Sequence, residues 1–208
     1  MIKDIKENFK NAKKEIIIAF SVIFLLLSCI QIIHILKNIP YSNLTRDPNA
    51  IAEFPKYIGF ISQFGILLWA GSTVVCFFGY FFIYKYKAEA IISRFLIFFG
   101  FFSLILCLDD TYMLHEEMAH RGFIEQYFYL LYVVMLILFI INFWKLFFST
   151  NYILLLISAA FLACSILQDQ FNGENYLLDD SFKLSGIVFW FIYCFKTSLT
   201  YCRDMNSK

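Results

Sequence analysis

From Ile16 to Leu36 the chain carries no Lys, Arg, Asp or Glu. The same holds from Tyr57 to Tyr84, Phe95 to Leu108, Tyr127 to Trp144 and Leu146 to Gln168. Uncharged apolar runs near 20 residues match the thickness of a bilayer core when wound as helices. A soluble domain of 208 residues has no interior large enough to hide them. Composition agrees: 61% of residues are apolar, mean hydropathy is +0.70, and only 16% are charged, against roughly 25% in soluble domains. The runs show no period-2 alternation, which excludes a membrane β-barrel. The predicted fold is an all-α polytopic transmembrane bundle forming one integral membrane domain over residues 1–208.

Six spans are predicted, at about Glu15–Leu36, Tyr57–Tyr84, Ala90–Leu108, Tyr127–Phe148, Tyr152–Leu167 and Leu184–Tyr201. The fifth is short and extends through Gln168 and Asp169 if the bilayer does not thin around it. The basic stretch Lys3–Lys14 precedes a run too long for a signal peptide, so the first span is expected to be retained. With the N-terminus inside, twelve of the 17 Lys and Arg fall on the inner side, among them the five of the N-terminal stretch, Lys85, Lys87, Arg94 and Arg203. Lys37, Arg46, Lys56, Arg121 and Lys183 fall outside. The positive-inside rule therefore predicts both termini in the cytoplasm, in the inner membrane of a bacterium.

The first outer loop, Lys37–Lys56, carries Pro40, Pro48 and Pro55 and reads as irregular or interfacial. Its Asn43-Leu44-Thr45 sequon has meaning only in a eukaryotic secretory route. His34, beside Gln31 near the end of the first span, reads as a hydrogen-bonded packing residue. The six cysteines form no CxxC pair; all but Cys202 sit inside apolar runs, as buried free thiols would. No basic arm or RNA-binding motif is present, so no nucleic-acid partner is expected.

Acidic residues gather on the predicted outer side, eleven of 16 by this topology. The densest stretch runs from Asp109 to His120, where the third span meets the interface. Carboxylates at that depth are costly unless paired, hydrated or bound to a cation. On a straight helix Asp109, Met113, Glu116 and His120 share one face, while His115 points well away from Asp109. A kink near Thr111 changes that. Gln168-Asp169-Gln170 closes the fifth span, and Asp179 and Asp180 open the sixth, followed by Lys183. A divalent cation, zinc by preference, would rationalise the cluster, with Asp109, Glu116, His120 and Asp169 as ligands. It would lower the pKa of bound water and create a nucleophile. His115 and Asp180 then serve as catalytic base or outer-sphere groups, and Lys183 holds an anion or pairs with Asp179 or Asp180. The stretch is not HExxH, because its histidines are five apart. Glu117-x-x-His120 is half of a di-iron pattern with no second half. As plain structural residues, Asp179 and Asp180 would cap a helix start.

The pattern Asp109-Asp110-x4-His115-Glu116, followed by Asp179-Asp180-x2-Lys183-Leu184-x-Gly186, resembles uncharacterised bacterial multi-pass membrane proteins. The resemblance covers the C-terminal half and implies six helices with no known activity. Asp and His at helix ends are also distantly similar to the alkaline ceramidase-like superfamily of membrane hydrolases, although this chain lacks that family's paired His in the last span. Three function classes follow. One is a metal-dependent hydrolase at the outer leaflet acting on a lipid substrate. Another is a non-catalytic accessory subunit with a protein partner or a second copy of itself. The third is a small-solute or ion transporter, which would want polar groups nearer the midplane.

Overall fold

The computed structural model describes residues 13–46, 48–55, 57–85, 90–120, 126–172 and 176–206. Every regular element among them is helical. The chain divides into two compact units, Met1–Ile58 and Gly59–Lys208.

In the first unit α1 spans Lys13–Lys37, α2 Tyr41–Thr45 and α3 Pro48–Ile51. Asn38, at φ 53°, ends α1 in the left-handed conformation that Asn tolerates better than most residues. The His34 ring donates through Nδ1 to the Ile39 carbonyl at 2.7 Å and stacks on Tyr41 at 4.0 Å. The Tyr41 hydroxyl donates to Gln31 at 2.6 Å. His34 thus fastens the chain reversal after α1, the hydrogen-bonded packing role expected of it.

The second unit contains α4 (Phe60–Lys85), α5 (Ala90–Tyr112), α6 (Leu114–His120), α7 (Gln126–Asn142), α8 (Trp144–Ser149), α9 (Tyr152–Asn172) and α10 (Tyr176–Asn206). Side-chain contacts fix their directions. Gly65, Gly71 and Gly79 of α4 face Ile187, Phe191 and Ser198 of α10 in rising order, so these helices are parallel. Gly100 of α5 meets Phe77, and Cys107 meets Ile66, so α5 is antiparallel to α4. Phe95 against Phe139 and Phe102 against Tyr132 make α7 antiparallel to α5. Ser158 against Gly186 and Ser165 against Asp179 make α9 antiparallel to α10. The five long helices of this unit therefore alternate in direction along the chain.

Among the described residues, four helical stretches are long and apolar enough to cross a membrane: Ile16–Lys37, Phe60–Tyr84, Ala90–Tyr112 and Leu177–Arg203. They make the chain a membrane protein. Tyr127–Asn142 and Tyr152–Gln168 are shorter apolar helices. The predicted fourth span is interrupted at Phe143 (φ −116°, ψ 26°), between α7 and α8. The backbone ladder continues through the kink, from Phe143 N–H to Phe139 O and from Phe147 N–H to Phe143 O. α9 extends five residues past the predicted Leu167, and α10 begins eight before the predicted Leu184. Asp179 and Asp180 therefore lie inside the first turns of α10 instead of preceding it.

Small residues let backbones approach where aqueous burial offers no driving force. A Cβ on Gly186 would lie 2.6 Å from Leu162 Cγ and 3.1 Å from its backbone N, and the Ser158 hydroxyl donates to Gly186 O at 2.7 Å. α7 instead meets α5 through rings: Phe139 lies 4.6–4.8 Å from Phe95, Phe98 and Phe99. Trp190 of α10 fills the centre, 5.5 Å from Trp69 and 5.2 Å from Phe99. Its indole N–H donates to the Ser103 hydroxyl at 2.9 Å, which removes the cost of burying it.

All six cysteines are free. Cys76, Cys107 and Cys194 are buried as expected, but Cys29 and Cys164 are exposed. An apolar run fixes membrane depth, and a position on it can still face outward from the protein.

Candidate functional site

The alternation of directions brings the C-terminal ends of α5 and α9 to the same end of the unit as the N-terminal ends of α4, α7 and α10. At that end α5 runs on past the predicted Leu108, through Asp109 and Asp110 to Tyr112. The Thr111 hydroxyl bonds back to Cys107 O at 2.6 Å, a pattern that bends helices. Met113 then adopts φ 48° and breaks the helix. The chain winds again as α6 from Leu114.

The break brings His115 back onto Asp109. The His115 backbone N–H donates to Asp109 Oδ1 at 3.0 Å, and its ring Nδ1 sits 3.0 Å from Oδ2. Asp109 is only 6% exposed. The Tyr132 hydroxyl of α7 lies beside the same carboxylate. The carboxylate therefore caps the start of α6, orients the imidazole and ties in α7. A carboxylate on Nδ1 selects the tautomer whose lone pair is on Nε2, the nitrogen that serves as base or metal ligand. Tyr129 lies 5.7 Å from the same ring. The straight-helix expectation, which separated His115 from Asp109, is thus replaced by the kinked alternative. The physical reason is the left-handed residue at 113.

The neighbouring carboxylate, roughly 100° around α5, makes a separate contact. Lys183 Nζ of α10 donates to Asp110 Oδ1 at 2.5 Å. The Asp110 side chain is 10% exposed and that of Lys183 42%. Asp110 Oδ2 is buried with no hydrogen-bond partner among the described residues. It lies 3.9 Å from where a Cβ on Gly65 would stand. The sequence offers Lys183 an anion to hold or a pairing with Asp179 or Asp180, one turn away on its own helix. Lys183 reaches across to α5 instead, because Asp110 is the more buried charge. Asp179 accepts a hydrogen bond from Ser165 of α9. Asp180 is exposed, beside Asp179 and Lys183.

Of the predicted site residues, Asp109 and His115 are brought together, and Asp180 belongs to the Asp110–Lys183 group. Glu116 and His120 lie on α6 and Asp169 on α9, but their side chains fall outside the described residues. Among the described residues no group of three His, Cys, Asp or Glu side chains gathers to hold a metal. Tyr132 was not anticipated from the sequence; its only signal is a hydroxyl within an apolar run.

A family model matches residues 16–197. The chain belongs to the DUF8692 family. The description of that family is a domain of unknown function. No curated protein matches the chain, and no solved structure does. The DUF8692 match begins in α1 and ends in α10, so it takes in both the Asp109–His115–Tyr132 group and the Asp110–Lys183 pair.

Proposed function

We propose that this DUF8692 protein is a six-pass hydrolase of the bacterial inner membrane, with cytoplasmic termini, acting on a lipid at the outer leaflet. The observation that carries the reading is the Asp109–His115 pair, held at a helix break at one end of the bundle. Asp109 has both oxygens engaged, so its role is to orient His115 and to favour the imidazolium as it forms. His115 takes the proton of an attacking water or presents Nε2 to a divalent cation. Glu116, His120 and Asp169 are the residues that would complete a cation's ligand set. A bound zinc would supply a hydroxide nucleophile at neutral pH. Asp180 and Lys183, near the start of α10, meet the polar part of the substrate.

The test is elemental analysis of the detergent-purified protein together with an ester and phospholipid hydrolysis screen. His115→Ala is expected to abolish hydrolysis while leaving the protein folded. Loss of metal in both His115→Ala and His120→Ala would place the cation on those residues. Hydrolysis undiminished in His115→Ala would end the proposal.

A second reading has its own observation. Every described contact of Asp109 and Asp110 also joins helices, α5 to α6 and α7 through Asp109 and α5 to α10 through Asp110. On that reading the cluster is a set of structural pins in an accessory subunit. Asp109→Asn keeps most of the hydrogen-bonding geometry, so an accessory subunit tolerates it, whereas a hydrolase loses most of its rate.

A further inference from the structure

The centre of the bundle holds two thiols that the Asp109–His115 reading does not use. Cys76 of α4 and Cys194 of α10 are 0% and 1% exposed, and neither is in a disulfide. Their register follows from the parallel packing of these helices. Gly79 faces Ser198 so closely that a Cβ added to it would stand 3.1 Å from Ser198 Cβ. Cys76 is three residues before Gly79 and Cys194 four before Ser198, one turn earlier on each helix, so the thiols meet at one level. Consistently, Cys76 is close enough to act on the Cys194 thiol.

The surroundings are polar in an ordered way. Ser103 of α5 accepts the Trp190 indole N–H at 2.9 Å, which leaves its own hydrogen available to Cys194 beside it. Ser72 of α4, also beside Cys194, donates its hydrogen to Leu68 O at 2.9 Å. One turn further along, the Ser198 hydroxyl is 4% exposed at residue level and has no partner among the described residues. Three helices supply this polar knot in a region otherwise filled by rings.

We propose that Cys76 and Cys194 form a two-coordinate site for a soft monovalent cation, copper(I) being the natural occupant. Thiolate ligands select soft cations. Two sulfurs are too few for tetrahedral zinc, which takes four ligands, but suffice for a d10 monovalent ion that accepts two. The exchange balances as Cu⁺ plus two thiols giving one thiolate–copper–thiol unit and one released proton. No electron moves, because the copper enters and stays as copper(I). The product is neutral, which an apolar interior tolerates where a net charge would be costly. The Ser103 hydroxyl donates to the thiolate. The site is independent of the hydrolase reading.

The test uses the full chain in detergent, loaded with copper(I) under ascorbate, or with silver(I) as a redox-inert probe. Free metal is removed by a weak competing ligand, and metal per chain is counted by plasma mass spectrometry. One ion per chain is expected, with sulfur-only coordination by X-ray absorption. Cys76→Ser and Cys194→Ser each lose it, and Cys164→Ser keeps it. Ser103→Ala retains both sulfurs and binds roughly 10–100-fold more weakly, the usual cost of removing an outer-shell partner. A wild-type protein that takes up neither ion overturns the proposal. So does a folded Cys76→Ser or Cys194→Ser variant with undiminished metal. Either serine variant suffices if the other fails to fold.

Discussion

At the scale of single residues, the informative contrast is between Asp109 and Asp110. They are adjacent in sequence, yet one serves the helix that follows it and the other the helix packed beside it. Asp109 was legible as a candidate from its place at the end of an apolar run. Its partner was not, because nothing in a methionine at position 113 announces a left-handed turn, as Gly or Asn would have done. Lys183 was legible as a cation near carboxylates, but its choice of Asp110 depends on which helix lies against α10. That choice is testable. Lys183→Met leaves Asp110 buried beside Gly65 without its ammonium. The loss is expected to be about 1–3 kcal/mol, below the roughly 3–5 of a fully buried broken pair, because Lys183 is partly exposed. Adding Asp110→Asn to Lys183→Met should restore most of it. Thermal or denaturant unfolding in detergent of the two single variants and the double variant measures the coupling, and strict additivity would show that the pair contributes nothing.

At the scale of elements, helix ends and crossings carry the specificity. Met113 at φ 48° bears a strain that glycine does not feel, of the order of 1–2 kcal/mol for an L residue in the left-handed region. Met113→Gly is therefore expected to be neutral or stabilising, and Met113→Val destabilising. A melting temperature that falls with glycine and rises with valine would contradict the assigned turn. The glycines differ in how hard their neighbours can yield. A methyl on Gly186 meets Leu162 at 2.6 Å with that residue's backbone N at 3.1 Å, whereas one on Gly71 meets only the Phe191 ring at 3.1 Å. Gly186→Ala should cost about 1–3 kcal/mol by overpacking, and Gly71→Ala distinctly less. The same denaturation assay ranks them. The α9–α10 crossing explains why the fifth predicted span is short in hydropathy but long as a helix. Past Leu167 all residues but Phe171 are polar, yet the helix runs on to Asn172, beyond the contact of Ser165 with Asp179 of α10.

At the scale of the whole molecule, the five alternating helices place the ends of α5 and α9 and the starts of α4, α7 and α10 together. Accessibility of introduced cysteines to an impermeant thiol reagent, in a background lacking the native ones, tests this. Tyr112→Cys and Leu177→Cys should react from one side of the membrane, and Ala90→Cys and Ser149→Cys from the other. The Lys and Arg distribution predicts that the reactive side for Tyr112→Cys is the outer one. Labelling of Tyr112→Cys and Ser149→Cys from the same side would mean that α7 with α8 does not cross.

The sequence by itself determined that this chain lives in a membrane as helices. The uncharged runs leave no other solvent for so much apolar surface, and helices alone satisfy their backbone within one such run. It also determined where the polar residues crowd, because charges at the ends of apolar runs are visible without coordinates. Only the tertiary structure decided what those residues do to one another. The Asp109–His115 contact depends on one backbone dihedral, the Asp110–Lys183 contact on the packing of α5 against α10, and the meeting of Cys76 with Cys194 on the parallel register of α4 and α10. Each of these is a relation between distant or bent segments, and the hydropathy of a single run is blind to it.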